Sequence, residues 1–460
     1  MSADGLARAA SVMRDGDVPE AAIAVFQDFY RRLESGDTGM LAEADIEPLV
    51  EVPRVADQDV SEQEMAAALD VTAIIKLNGG LGTSMGMHQA KSLLPVRGDA
   101  SFLEIIVRQV LGLRARFSAR LPLILMNSFS TREDTLAALA PFGDLAVDGL
   151  PLDFLQNREP KLRADDLTPV SWPADPSLQW CPPGHGDLYT ALQTSGVLQS
   201  LLDNGFRYAS VSNSDNLGAA PDARMAGWFA GSGAPYAAEV CRRTAADVKG
   251  GYLVVRKSDG ALVLRETAQT PPEDAAAAAD IDRHRYFHTN NLWFDLRALD
   301  AVLRERHGVL GLPLIRNTKT VDPTDPASTE VIQIESAMGA AIEVFDGARA
   351  IEVERTRFLP VKTTNDLLLV RSDAYALDDD HRLLPQVDPA PRIALDDRFY
   401  KLIDDFDRRF PAGPPSLVSA TSLRVQGDWT FAGDVTVVGE AVLADDGSPA
   451  TVPAGSVIGG

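Results

Sequence analysis

Cysteine is scarce: Cys181 and Cys241 are the two in 460 residues. That number cannot build a disulfide framework, so both read as reduced, small buried side chains. No run approaches the roughly 20 apolar residues that a membrane span needs. The first fifteen residues carry charges and lack the apolar core of a secretory signal. Positive charge is also in deficit. Lys and Arg number 43 against 66 Asp and Glu, a formal net charge of -23. Such a field repels nucleic acid and anionic membrane surfaces. These absences fit a soluble, cytoplasmic protein. They also set a constraint: a phosphate ligand would need a few local cations to overcome the global field.

What is present is a chain long enough for two or three structural units, 45% hydrophobic and of ordinary Gly and Pro content. Residues 1–70 read as a helical lead-in, with Phe26, Phe29, Tyr30 and Leu33 at helical spacing. Val71 to Leu77 is a short, β-branched apolar run and reads as a buried strand. A Gly-rich loop follows, then a helix over 102–113, a strand over 121–126, a helix over 131–139 and a short strand over 208–212. Strands alternating with helices predict an α/β domain with a mostly parallel sheet. In such sheets ligands sit at the carboxyl ends of strands, where the Gly-rich loop, Asn127 and Asp215 fall. From Gly233 to Leu264 the pattern looks antiparallel, with turns at Gly250-Gly251 and Asp259-Gly260. Residues 273–280 read as a surface helix or loop, and 322–326 as an exposed loop.

The last forty residues differ. Val425, Phe431, Val437 and Leu443 recur every six residues, as do Gly427, Gly433 and Gly439. That period predicts a short stack of parallel β-helix coils, with an antiparallel meander as the alternative. Pro411 to Pro415 reads as a linker.

The strongest chemical signal is Leu77-Asn78-Gly79-Gly80-Leu81-Gly82-Thr83-Ser84-Met85-Gly86, with Lys91-Ser92 just beyond. Four glycines in eight residues permit positive φ and let backbone N–H groups approach an anion or a flat base. It is not a Walker loop, because Lys91 follows Ala90 rather than Gly. Nor is it a dinucleotide fingerprint, because Met85 stands at the third glycine position.

The stretch resembles the signature of the eukaryotic-type UTP–glucose-1-phosphate uridylyltransferases, and the resemblance spans nearly the whole chain. It recurs in Leu125 to Phe129, Pro182 to Asp187, Val211 to Gly218, Ala246 to Gly251, Asn290 to Trp293 and Arg357 to Thr364. It implies a nucleotidyltransferase domain of glycosyltransferase-A-like type, a mixed sheet flanked by helices, followed by a left-handed parallel β-helix. The corresponding division is 1–70 lead-in, 71–365 catalytic domain, 366–415 helical linker and 416–460 β-helix. The implied reaction joins UTP and glucose 1-phosphate to give UDP-glucose and pyrophosphate, with Mg²⁺ as cofactor.

The same resemblance assigns roles. Leu77, Asn78, Gly79 and Gly80 would line the UTP pocket, the two glycines also lying near the sugar. Lys91 would contact the UTP phosphates as a flexible point charge. Gln156 would read the uracil edge, since an amide offers both donor and acceptor. Met126 would pack near the base, or serve as an ordinary core residue. Gly184 would approach the nucleotide and His185 the sugar phosphate. Asp215 would hold Mg²⁺, although a strand-end Asp also suits a helix cap. Asn213 and Ser214 would contact the sugar phosphate. Lys249, Glu266 and Asn291 complete the implied sugar-phosphate set. Lys362, far along the chain, would stand at the reacting phosphate.

Departures from the family pattern are local. Met87-His88-Gln89-Ala90 replaces a stretch that usually carries an extra Lys and Gly-Pro. The resemblance further implies a monomer or small oligomer, because the final strand of the octamer-forming animal members is not seen before Gly460. The rival readings are a UDP-N-acetylhexosamine pyrophosphorylase and a non-catalytic nucleotide-sugar sensor.

Overall fold

The computed structural model describes residues 2–244, 247 and 250–460. The chain opens with three helices, α1 (Ser2–Asp15), α2 (Glu20–Glu34) and α3 (Glu62–Asp70). On α2 the predicted stripe Phe26, Phe29, Tyr30 and Leu33 is buried, joined by Ile23. Ser61 and Glu64 form a reciprocal capping box that starts α3.

A ten-stranded mixed sheet forms the centre. Its strands are β1 (Ile46–Pro48), β2 (Thr72–Asn78), β3 (Leu123–Asn127), β4 (Asp153–Leu155), β5 (Tyr208–Asn213), β6 (Tyr236–Arg242), β7 (Tyr252–Arg256), β8 (Leu262–Arg265), β9 (Tyr286–Asp295) and β10 (Arg349–Glu352). The parallel run β5-β2-β3-β4 is its heart, with Ser212 opposite Lys76 and Leu77 opposite Met126. β9 joins β5 antiparallel. Period-two alternation divides the buried side chains. Ile74, Leu123, Leu125 and Trp293 face one core, whereas Ile75, Ile124, Met126 and Leu292 face the other. The helix α4 (Phe102–Phe117) covers the first face, capped by Ser101 accepting from the Glu104 N–H at 3.2 Å. Helices at Leu188–Thr194 and Val197–Asp203 cover the second, together with α2.

The expected hairpin across Asp259-Gly260 is present as β7 and β8. The turn at Gly250-Gly251 is not a hairpin: β6 instead pairs antiparallel with β9 and parallel with β10. Both hydrogen-bonding edges of β6 are thereby taken, which leaves none for β7.

Residues 366–415 are more than helical. They carry a small hairpin, Tyr375–Leu377 with Leu383–Pro385, and the strand β11 (Arg392–Ala394). β11 starts a parallel sheet that continues through β12 (Ser416–Val425), β14 (Thr436–Leu443) and β16 (Val457–Gly459). Between them, β13 (Trp429–Phe431) pairs in parallel with β15 (Ala450–Val452). Leu417, Val425, Phe431, Val437 and Val452 are buried and belong to the same contiguous apolar cluster as α4. No described helix is long and apolar enough to cross a membrane.

Candidate active site

The carboxyl ends of β5, β2, β3 and β4 open onto a cavity of about 320 Å³. Its wall is made by Leu77, Gly79, Gly80, Lys91, Met126, Gln156, Pro182, Gly184, His185, Asn213, Ser214 and Asp215. Eleven of these twelve were singled out from the sequence; Pro182 was not. Four adjacent parallel strands therefore deliver one residue group each, which is why positions so distant in sequence converge.

The Gly-rich loop folds back on itself. Gly82 and Gly86 take left-handed φ of 68° and 74° around the turn Thr83–Met85, and the Lys91 N–H donates to the Gly80 carbonyl at 3.0 Å. This return brings the Lys91 side chain over the cavity. Its Nζ donates to Asp215 Oδ2 at 2.8 Å and to the Val361 carbonyl. Lys362 Nζ reaches the same oxygen at 3.2 Å. Burial works against the charge of Asp215, but Lys362 and Lys91 outweigh it and hold the carboxyl below its ordinary pKa. The other oxygen, Oδ1, is buried and has no hydrogen-bond partner among the described residues.

His185 sits on a turn anchored to Ser336, whose carbonyl accepts from the Gly186 N–H at 2.8 Å. The Met338 N–H donates to His185 Nδ1 at 2.9 Å. That bond fixes the tautomer and leaves Nε2 as the N–H donor. Burial, helped by the charge of Lys362, lowers the His185 pKa to about 4. The ring is therefore a neutral donor near pH 7 rather than a cation or a base.

Other expected residues lie off the wall. The Asn78 side chain is buried behind it and donates to Asn127 Oδ1 at 2.8 Å and Thr135 Oγ1 at 2.9 Å. Asn291 also turns away, donating to Glu239 Oε2 at 3.1 Å. The neighbouring Asn290 points the opposite way, its Nδ2 donating to Asn213 Oδ1 at 3.3 Å. The pair diverges at an irregularity of β9, where Asn290 takes a left-handed φ of 61° beside a shift in the β6–β9 register. Glu266 follows β8, packs over Gly251 and lies outside this cavity; burial raises its pKa. Lys362 touches Asp215 but stands at the mouth, with its side chain 59% exposed. Lys249 lies outside the described residues.

Taken together, the cavity offers two ammonium groups, a neutral imidazole N–H, a strand-end carboxylate and a Gly-rich backbone edge. This is a set suited to a polyphosphate and a flat base. A family model described as UTP–glucose-1-phosphate uridylyltransferase matches residues 23–438. The chain belongs to this family. A UTP–glucose-1-phosphate uridylyltransferase of Solanum tuberosum is 38% identical over 418 residues, covering 90% of this chain and 85% of the relative. That of Hordeum vulgare is 36% identical over 465 residues, covering 99% and 95%. Among solved structures, the UDP-glucose pyrophosphorylase of Leishmania major superposes with a TM-score of 0.92 at 38% identity, covering 99% of this chain and 98% of that one. A Trypanosoma brucei structure described as UDP-glucose phosphorylase gives 0.90 at 40%, with the same coverage. A single-residue variant of the Leishmania major enzyme, solved in complex with UDP-glucose, gives 0.91 at 38%, again with 99% and 98% covered.

Within this uridylyltransferase family fold, the donor set suits one hard cation better than a closed metal centre. No group of three or more His, Cys, Asp or Glu is assembled among the described residues. The unpartnered Asp215 Oδ1 would offer a single oxygen ligand, which fits Mg²⁺, an ion that ordinarily takes one or two carboxylates plus water and substrate phosphate. Asn290 and Pro182 are the wall neighbours that the sequence reading missed. Asn290 carries one signal: Asn is among the residues that tolerate the left-handed backbone found there.

Proposed function

We propose that this chain transfers the uridylyl group of UTP to glucose 1-phosphate, giving UDP-glucose and pyrophosphate. One observation carries the reading: Lys91 and Lys362, from opposite ends of the catalytic segment, converge on one oxygen of Asp215 at the cavity mouth. The base would enter between the Gly79-Gly80 edge, Met126 and Gln156, where the Gln156 amide meets an imide edge with one donor and one acceptor. Glucose 1-phosphate would lie toward Asn213, Ser214 and His185.

A phosphate oxygen of glucose 1-phosphate attacks the α-phosphorus of UTP in line. One P–O bond forms, and the bond from the α-phosphorus to the bridging oxygen breaks with its electron pair on pyrophosphate. No base is needed, because a phosphate monoester with a second pKa of about 6 is already mostly dianionic near pH 7. The neutral His185 can then donate Nε2–H to a phosphate oxygen without competing for a proton. Lys91 and Lys362 stabilise the charge that grows on the α-phosphate and leaving group. Asp215 would hold Mg²⁺ through Oδ1, and the ion when bound offsets repulsion between the phosphates.

The parallel C-terminal strands support reading that segment as a short left-handed β-helix. The division at 70, 365 and 415, a cytoplasmic location and a monomeric or small oligomeric state complete this reading. Pyrophosphate release is the test. UTP with glucose 1-phosphate and Mg²⁺ should give rapid release, while N-acetylglucosamine 1-phosphate or other nucleotides should not. Binding of UTP without release from any pair would overturn the proposal.

A further inference from the structure

Two stretches meet at Asp215: the turn 214–220 after β5, and a strap, residues 355–363, that carries Lys362. No ladder joins these two described stretches. The backbone link is an isolated antiparallel bridge between Asn216 and Pro360, beside a Val361 N–H to Asp215 carbonyl bond of 3.1 Å.

The rest of the join is made by side chains. Asn216 is 2% exposed. Its Oδ1 accepts from the Leu359 N–H at 2.8 Å, and its Nδ2 donates to the Arg357 carbonyl at 3.2 Å and to Asn291 Oδ1 at 3.3 Å. Two residues on, Gly218 lets the strap backbone close in, since a Cβ there would lie 2.3 Å from the Thr356 carbonyl oxygen. From beneath, the Arg357 guanidinium grips the fully buried Glu239 with two bonds, 2.7 and 2.8 Å, and donates to the Ala220 carbonyl at 3.1 Å. Glu239 also accepts from Asn291 and Trp293, and Lys76 donates to the Ala219 carbonyl at 2.8 Å. The Lys362–Asp215 pair cannot set this geometry itself. An ion pair on a side chain 59% exposed contributes little, whereas three bonds to a buried amide are costly to leave unmade.

We propose that Asn216 is a positioning residue of the transfer reaction. It docks the strap so that Lys362 meets the reacting phosphate beside Asp215. The inference rests on the role given to Lys362 above. An amide is required because it accepts from one backbone N–H while donating to two oxygens. An Asp would keep the first bond and set a carboxylate against the other two acceptors.

The test is a double-mutant cycle on the full chain with Asn216→Ala, Lys362→Ala and both together, reading kcat, the KM for UTP and Tm. Asn216→Ala alone should lower kcat roughly 10- to 100-fold, as misplacement of a reacting group by about 1 Å does, with the KM for UTP nearly unchanged. In the Lys362→Ala background it should cost less than about threefold further, because its effect passes through Lys362. Asn216→Asp, which keeps the side-chain shape and the Leu359 bond, should repeat this pattern and serves if the alanine variant folds poorly. Equal losses in both backgrounds, or a loss confined to KM or Tm, would overturn the role of Asn216 alone. Near-normal turnover of Lys362→Ala would instead remove the reading of Lys362 and this inference with it.

Discussion

The wall of the cavity and the strap across its mouth are built in opposite ways. The frame of the wall is the ends of four neighbouring parallel strands, with Leu77, Met126, Gln156 and Asn213 on or just after them. Ladder hydrogen bonds hold those positions, so the side chains inherit a rigid frame. The strap has one bridge residue and depends on the Asn216 amide and the Arg357–Glu239 pair. A frame fixed before substrate arrives suits recognition. A cation on a docked segment suits charge that develops only as the reaction proceeds. Damage to these strand-end residues should therefore appear mainly in KM, and damage to the strap mainly in kcat.

Lys362→Ala is the largest test of that contrast. Loss of one donor to developing charge is expected to lower kcat roughly 10²- to 10³-fold while UTP binding, measured by calorimetry, changes little. Turnover within about tenfold of the wild type would break the comparison, since the strap would then carry no chemistry. Gln156→Leu probes the wall. Removing an edge that hydrogen-bonds the base should cost roughly 10- to 100-fold in kcat/KM for UTP, mostly in KM, and narrow the preference over other pyrimidine nucleotides. An unchanged preference would show that Gln156 does not read the base.

The same contrast explains what was legible in the sequence. Buried parallel strands announce themselves as short apolar runs, and a ligand loop after one of them is marked by its glycines. The Leu77–Gly80 edge and the Asn213–Asp215 turn were thus readable locally. The strap was not, because Lys362 and Asp215 lie 147 residues apart and nothing in their spacing encodes contact. Only the family resemblance joined them. Face assignment also failed where two like residues are adjacent. Asn290 and Asn291 have the same chemistry, and only the local path of β9 tells which one turns toward Asn213. The partners of β6 were missed for a related reason: a residue pattern shows that a strand is buried on both faces but not which strands flank it. In the C-terminal segment the shared period of apolar and Gly residues foretold the parallel pairing, while β11 lay outside the repeat and went unseen.

A pH dependence tests the packing behind the wall next. His288, on β9, is 4% exposed, and burial lowers its pKa to about 3, with His185 adding to the effect. Its unfolded value is about 6.5. Between these values the unfolded chain binds a proton that the folded chain refuses, so stability present above the unfolded value is lost as pH falls. His288→Gln removes this site. Urea unfolding at pH 7, 6 and 5 should show the wild type losing stability more steeply, by up to about 1.4 kcal/mol per pH unit. Parallel slopes would mean that the histidine behind the wall is protonated in the folded state.

The smallest expected effect concerns the far end of the strap. Thr363 and Asp366 form a capping box at the start of the helix Thr364–Arg371, and the Lys362 N–H also donates to Asp366 Oδ2 at 2.9 Å. These bonds are exposed, so water can replace them when one partner is removed. Thr363→Ala should cost about 1 kcal/mol of stability, the usual value of a cap, and change kcat by less than about threefold. The reasoning is positional. If buried bonds at Asn216 fix the strap upstream of Lys362, loosening its exit leaves the ammonium where it was. A loss of kcat as large as that of Asn216→Ala would place control of Lys362 in the exit helix instead, and the division between a framed wall and a side-chain-docked strap would have to be redrawn around the cap.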